Sequence, residues 1–197
     1  MARALIVYYS FMGTTKTVAD LLSDELQKNG ITPVVEVVKC SQIKPGIFSA
    51  LKQLYKTFAS STFTLDNPPE NDPRQFDYVF IGFPVWGYIV CPPMDVWLKA
   101  VEFDTTRTKF GAFIQQRQSG ADKCFELIEK TIGKPLSGKM TVFHFESRRQ
   151  PEGSKIKVEQ FVKDAIGGET VTQQDIPRVE EGEVKEDKQS ESEVAKE

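Results

Sequence analysis

The sequence predicts an α/β fold, a three-layer doubly wound sandwich built on a five-stranded parallel sheet. Five short apolar segments recur along the 197 residues, and segments with helical periodicity separate them. The apolar segments are continuous rather than alternating, which is typical of parallel strands buried on both faces. Right-handed crossovers then place helices on both sides of the sheet. Ligands of such folds bind outside the carboxyl ends of the strands.

The elements can be assigned in chain order from apolar spacing and from proline and glycine at helix ends. The predicted strands are Ala4–Tyr9, Thr32–Val38, Tyr78–Gly82, Phe110–Ile114 and Met140–Phe145. The predicted helices are Thr14–Asn29, Met94–Ala100 (entered through Pro92-Pro93), Ala121–Ile132 and Ser154–Ile166. In the first helix Val18, Leu22 and Leu26 form an apolar stripe, and Gly30 follows its end.

Two further segments complete the organisation. Residues 39–77 are longer than a simple connection, and apolar residues at helical spacing between Phe48 and Phe58 predict an amphipathic helix inserted between strands two and three. That helix would either pack on the sheet or overhang a ligand site. The domain is expected to span residues 1–168, and residues 169–197 read as an acidic, disordered tail low in aromatics.

Charge and hydropathy exclude several classes of partner. The net charge is -3, and residues 177–197 hold eight acidic and four basic residues, so the rest of the chain is near neutral. There is no basic stripe with interleaved aromatics, which argues against nucleic acid. No apolar run approaches the ~20 residues of a membrane span, and no signal peptide is evident. We therefore expect no membrane association.

Cysteine and histidine content limits the catalytic chemistry. The three cysteines, Cys40, Cys91 and Cys124, are odd in number and widely spaced, which favours a reducing cytoplasm over disulfides or a metal site. His144 is the only histidine. It lies within a predicted buried strand, so a structural or partner-binding role is expected. No side chain is predicted to act as a catalytic acid, base or nucleophile, and no metal site is predicted.

The first strand is followed by a loop that predicts an anion site. The run Ser10-Phe11-Met12-Gly13-Thr14-Thr15 leads directly into a helix, whose first N–H groups carry a partial positive charge. A phosphate could accept those N–H groups together with the hydroxyls, and Gly13 allows a close backbone approach. The same hydroxyls could instead only cap the helix. The loop is neither a P-loop nor a dinucleotide fingerprint.

Two more loops follow the third and fourth strands. The first, Pro84-Val85-Trp86-Gly87-Tyr88, exposes two aromatics on which a planar heterocycle could stack, although a tryptophan here also suits packing. The second, Gln115-Gln116-Arg117-Gln118-Ser119-Gly120, offers amides to the polar edge of a ring, or is a solvated loop capped by Ser119.

Taken together, the three loops resemble those of the flavodoxin-like flavoproteins, which bind FMN, over about residues 3–166. The nearest likeness is to small flavodoxins with a "PVW…PP" second loop and a "SGADK"-like third loop. The resemblance implies the strand order 2-1-3-4-5. It also implies which residues bind each part of the cofactor: Ser10, Phe11, Met12, Gly13, Thr14 and Thr15 the phosphate; Pro84, Val85, Trp86, Gly87 and Tyr88 the ring; and Gln115, Gln116, Arg117, Gln118, Ser119 and Gly120 its other side and pyrimidine edge.

The sequence departs from the family pattern mainly at the ring end. Met12 and Thr14 stand where the phosphate loop usually has threonine and asparagine, and Tyr88 replaces a small residue. The third loop lacks its usual glycines, and Arg117 would either obstruct the ring or stabilise an anionic reduced flavin.

The expected function is FMN-dependent electron transfer or NAD(P)H-dependent reduction. The partners would be a redox protein, or NAD(P)H and a small-molecule acceptor. The alternative is a flavodoxin-fold binding or regulatory module with weakened or lost FMN binding.

Overall fold

The computed structural model of the protein describes residues 1–43, 63–144 and 151–167. Five strands form one parallel sheet: β1 (Arg3–Tyr8), β2 (Thr32–Val37), β3 (Tyr78–Pro84), β4 (Lys109–Gln116) and β5 (Gly138–Phe143). The described helices are α1 (Thr14–Lys28), α2 (Pro92–Ala100), α3 (Ala121–Ile132) and α4 (Pro151–Gly167). A short 3₁₀ turn, Pro73–Gln75, precedes β3.

The sheet has the order β2-β1-β3-β4-β5, which confirms the predicted fold class and strand order. The chain leaves β1 toward β2 on one side and continues from β3 on the other side. The strand order therefore reverses at the boundary between β1 and β3, where their carboxyl ends open a crevice.

Helices cover both faces of the sheet, as the continuous apolar strands predict. On one face, Leu5, Val7 and their neighbours in β3 and β4 pack against α2 and α3. On the other face, Ala4 and Ile6 belong to a second core with α1 and α4. Alternate residues of β1 thus point into different cores, as the two-residue period of a strand requires.

The absence of a side chain at Gly82 leaves room for an aromatic ring in one of these cores. The ring of Phe113 from the neighbouring strand lies over Gly82, and a Cβ at that position would come within 2.0 Å of the ring. No side chain larger than hydrogen fits there without displacing the phenylalanine. Gly82 is therefore required by packing and not by backbone conformation.

A buried carboxylate ties the edge strand β2 to the segment before β3. Glu36 is almost fully buried. Its Oε2 accepts hydrogen bonds from the backbone N–H and the side-chain amide of Asn71, at 2.9 and 2.8 Å. Its Oε1 accepts a 2.6 Å hydrogen bond from the indole Nε1–H of Trp97 on α2. Three donors thus satisfy the buried charge, as burial of a carboxylate demands.

Several strand boundaries differ from the predicted ones. Because β4 keeps pairing with β3 and β5 as far as Gln115 and Gln116, these residues lie in the sheet and not in a loop. Pro84 likewise ends β3, opposite Gln115. The last strand begins two residues earlier than predicted, at Gly138, and ends at Phe143.

Some predictions fall on residues that the structure does not describe. The predicted helix between Phe48 and Phe58 and the predicted tail, residues 169–197, lie outside the described residues, and both stay predictions. Among the described residues, no helix has both the length and the apolar character needed to cross a bilayer.

Candidate functional site

A cavity of about 240 Å³ opens at the carboxyl edge of the sheet, at the reversal of strand order. All three predicted loops contribute to its wall. The lining residues are Phe11, Met12, Thr14, Pro84, Val85, Trp86, Gln115, Gln116, Arg117 and His144. Enclosed small-molecule sites usually measure about 300–1,000 Å³, so the cavity would enclose part of a larger ligand.

The first loop delivers the amino end of α1 to this cavity. The cap residue of α1 is Gly13, with φ of 82°, and it makes no side-chain cap hydrogen bond. The hydroxyl of Ser10 accepts a 3.3 Å hydrogen bond from the backbone N–H of Lys16. No acidic residue lies in the first turn, so the positive end of the helix is not neutralised locally.

The two threonines that open α1 have a partner that the sequence did not reveal. Both are buried, and the hydroxyl of Thr14 donates to Oε1 of Gln115. The hydroxyl of Thr15 donates to the same oxygen at 3.4 Å. The predicted phosphate-binding hydroxyls therefore bond to a glutamine about a hundred residues away. A phosphate would have to compete with that amide for their protons.

The second loop is a tight reverse turn. Trp86 and Ile89 exchange two backbone hydrogen bonds of 3.2 Å, and the intervening residues have positive φ, 58° at Gly87 and 70° at Tyr88. A positive φ at tyrosine is strained, because its Cβ crowds the backbone in that region. The turn packs beside the third loop, where a Cβ at Gly120 would come within 3.0 Å of the Tyr88 Cα.

The two aromatics of this loop differ in exposure, and the prediction that both are exposed is wrong for one. Trp86 is only 9% exposed, because Tyr9 and Phe11 pack against it edge-on, with ring centroids 5.8 and 5.7 Å away. It still lines the cavity. Tyr88 is 56% exposed and does not line the cavity.

The third loop divides between the cavity and α3. Gln116 lines the cavity, and its Oε1 also accepts a 3.0 Å hydrogen bond from the N–H of Ala121 at the start of α3. The predicted cap, Ser119, does not perform this role: the cap residue is Gly120, with φ of 111°. A Cβ at Gly120 would approach Val85 to 2.9 Å, so the second and third loops pack against each other there.

His144 belongs to the site, which the sequence reasoning missed. β5 ends at Phe143, one residue before it, so the histidine lies at the carboxyl end of the strand and not inside it. Its backbone N–H donates to the carbonyl of Gln116 at 3.1 Å, and its half-buried side chain lines the cavity. A predicted strand that ended at Phe143, and not at Phe145, would have placed His144 at the carboxyl edge of the sheet with the other site residues.

Of the seventeen predicted site residues, nine line the cavity and eight do not. Those in the wall are Phe11, Met12, Thr14, Pro84, Val85, Trp86, Gln115, Gln116 and Arg117. Those outside the wall are Ser10, Gly13, Thr15, Gly87, Tyr88, Gln118, Ser119 and Gly120. The structure thus brings residues of all three loops to one cavity. It also separates residues that line the cavity from residues that do not, and the sequence did not predict this distinction.

Reactive thiol or phenolate chemistry is disfavoured near the site. Cys91 and Cys124 are free and buried, and burial raises the pKa of both thiols, that of Cys124 to about 12. Burial also raises the pKa of the Tyr9 hydroxyl well above its usual value. These groups stay protonated at neutral pH, so none of them is an activated nucleophile or base.

The sheet order, the helices on both faces and the crevice at the carboxyl edge define the flavodoxin-like class of α/β folds. Similar solved structures include a provisionally assigned flavoprotein from Bacteroides uniformis, with 15% identity, a TM-score of 0.64, and 82% of this chain and 98% of that chain covered. A flavodoxin from Streptococcus pneumoniae TIGR4 has 14% identity and a TM-score of 0.57, with 84% and 99% covered.

A flavoprotein in complex with FMN from Lactobacillus acidophilus has 22% identity and a TM-score of 0.55, with 72% of this chain and 93% of that chain covered. These likenesses establish that the chain has the flavodoxin-like fold. No protein-family model and no curated protein sequence matches the chain.

Proposed function

We propose that this chain binds FMN without a covalent bond and acts in electron transfer or NAD(P)H-dependent reduction. The observation that carries the proposal is the cavity at the strand-order reversal, where one wall holds a helix amino end and the other walls hold an indole and four polar side chains. An anionic group and a flat aromatic ring need these two environments side by side.

The phosphate would bind at the start of α1. This end of the helix offers the first-turn N–H groups, the hydroxyls of Ser10 and Thr14, and a cap residue without a side chain, Gly13. The ring would lie between the second and third loops, against Val85 and Trp86. FMN would supply the electron chemistry, and the chain would set its affinity and potential through the groups around the ring. The Lactobacillus acidophilus neighbour, described as an FMN complex, supports the same cofactor.

One observation favours a second candidate, a binding or regulatory module with weak FMN affinity. The hydroxyls of Thr14 and Thr15 already donate to Gln115, so a phosphate gains less from them than from free hydroxyls. The exposed Arg117 also stands at the ring end, where a glycine would leave more room for the flavin.

Flavin binding tests the two candidates directly. The purified chain should be yellow, and after flavin removal it should bind FMN at micromolar or lower concentration, with riboflavin binding more weakly. Both titrations can be followed by flavin fluorescence. If neither the spectrum nor the titration shows FMN binding at micromolar levels, the redox proposal fails and the binding module replaces it.

A second measurement separates enzyme from carrier. The FMN-loaded protein should oxidise NADPH or NADH in the presence of a small quinone or dye if it is a reductase. A carrier would exchange electrons only with a protein partner. Monitoring nicotinamide absorbance with free FMN at the same concentration as the control distinguishes the two.

A further inference from the structure

Met12 is the accessible sulfur of the cavity wall. The chain has four methionines. Met94 on α2 and Met140 on β5 are 0% and 2% exposed, whereas Met12 is 55% exposed and lines the cavity. Met1 is also exposed, but it precedes β1 at the amino edge of the sheet, opposite the cavity. Met12 is therefore the one methionine that both solvent and a cavity ligand can reach.

The thiols of the chain compete poorly with Met12 for an oxidant. Cys40, Cys91 and Cys124 are free and buried. A thiol reacts with a peroxide as its thiolate, and burial in apolar surroundings keeps it protonated. A thioether needs no deprotonation, so its reaction depends on access to the sulfur. An oxidant that arrives from solvent therefore reaches Met12 before these three thiols.

The backbone places Met12 beside the start of α1. It directly precedes Gly13, the cap residue of the helix, which makes no side-chain cap hydrogen bond. Thr14, the first residue of the helix, lines the same cavity. The first-turn N–H groups carry the positive end of the helix dipole and attract a hydrogen-bond acceptor. A thioether is a weak acceptor, so unmodified Met12 leaves this end of the helix to a ligand.

We propose that Met12 is a site of reversible oxidation by hydroperoxides, and that its sulfoxide competes with the FMN phosphate for the start of α1. The competition rests on the proposed function, whereas the oxidation does not. The sulfur gives an electron pair to one oxygen of hydrogen peroxide, and the O–O bond breaks. The proton of the transferred oxygen passes to the other oxygen, which leaves as water. The sulfur is thereby oxidised by two electrons, and the side chain gains an acceptor oxygen.

Peroxide treatment of the purified, flavin-free chain tests the modification itself. Digestion and mass spectrometry give the rate at which each methionine gains an oxygen. Met12 should be oxidised roughly ten times faster than Met94 and Met140, because their sulfurs are buried. Met1 serves as the exposed reference. Equal rates at Met12 and Met94 would overturn the assignment of the site.

Flavin titration before and after the treatment tests the effect on the ligand. Oxidation should weaken FMN about fivefold, the loss expected when the sulfoxide takes one hydrogen bond from the phosphate. Riboflavin has no group to place at the helix end, so its dissociation constant should change by less than about twofold. Methionine sulfoxide reductases, which return the sulfoxide to the thioether, should restore the affinity for FMN.

Met12→Leu is the matched control, because leucine keeps an apolar side chain and forms no sulfoxide. The variant retains the other three methionines and the three cysteines, so oxidation elsewhere in the chain is unchanged. Whatever its own affinity for FMN, this variant should have the same dissociation constant before and after peroxide.

The outcomes separate the oxidation of Met12 from the proposed function. If the untreated chain does not bind FMN, the proposed function and the competition both fail, and the mass spectra still decide whether Met12 is oxidised selectively. If FMN binds and its affinity survives oxidation of Met12, or Met12→Leu loses as much affinity after peroxide, the competition is wrong and the proposed function stands. Equal losses for FMN and riboflavin would also overturn competition for the phosphate position.

Discussion

The contact between Gln115 and the start of α1 leads to a sharp test of where the phosphate binds. Gln115→Glu keeps the size of the side chain and the oxygen that Thr14 and Thr15 contact, and it adds a negative charge. A phosphate oxygen that takes over the proton of Thr14 would lie about 2.7 Å from that hydroxyl, and therefore roughly 5 Å from the new carboxylate. At an effective dielectric constant of about 20, two unit charges at that distance repel by about 3 kcal/mol.

This repulsion should weaken FMN about a hundredfold, since about 1.4 kcal/mol corresponds to a factor of ten. Riboflavin lacks the phosphate, so its dissociation constant should change by less than threefold. Both are measured by fluorescence titration at low salt. Gln118→Glu adds the same charge outside the cavity wall and should leave both affinities nearly unchanged. Equal losses for FMN and riboflavin, or equal losses in the two variants, would refute placement of the phosphate beside Gln115.

Three stability predictions follow from the packing. Glu36→Leu leaves three N–H donors without their acceptor and should lower the free energy of unfolding by about 3 kcal/mol; a loss below about 1 kcal/mol in urea unfolding would contradict this. Gly82→Ala should lower the free energy of unfolding by about 1–3 kcal/mol in the same assay, because its Cβ meets the Phe113 ring. Gly167→Ala is the control: nothing lies within 4 Å of a Cβ there, so the free energy of unfolding should change by less than about 0.5 kcal/mol. Tyr88→Asn should raise stability by about 1 kcal/mol because asparagine tolerates positive φ; a lower melting temperature would show that the tyrosine ring contributes more than its strain costs.

The sequence was sufficient for the fold because its signals are local. The stripe Val18, Leu22 and Leu26 and the glycine after it specify α1, and continuous apolar strands require helices on both faces. The order of the strands came from the family resemblance and was confirmed by the structure.

The site was predicted less completely because its decisive contacts are non-local. Nothing near Thr14 in the chain indicates that Gln115 accepts its proton. The burial of Trp86 depends on Tyr9 and Phe11, which belong to a different loop. His144 enters the cavity only because β5 ends one residue before it, and strand ends are the least certain part of a sequence-based assignment.

The two tryptophans of the chain occupy environments that make them separate optical reporters. Trp86 forms part of the cavity wall, whereas Trp97 is buried on α2 with its indole N–H held by Glu36. Energy transfer or contact quenching by a ligand in the cavity acts most strongly on the first indole. Emission from the second changes most when α2 separates from the sheet. Time-resolved fluorescence of the unmodified chain can therefore follow ligand occupancy and unfolding in a single sample, without an added label.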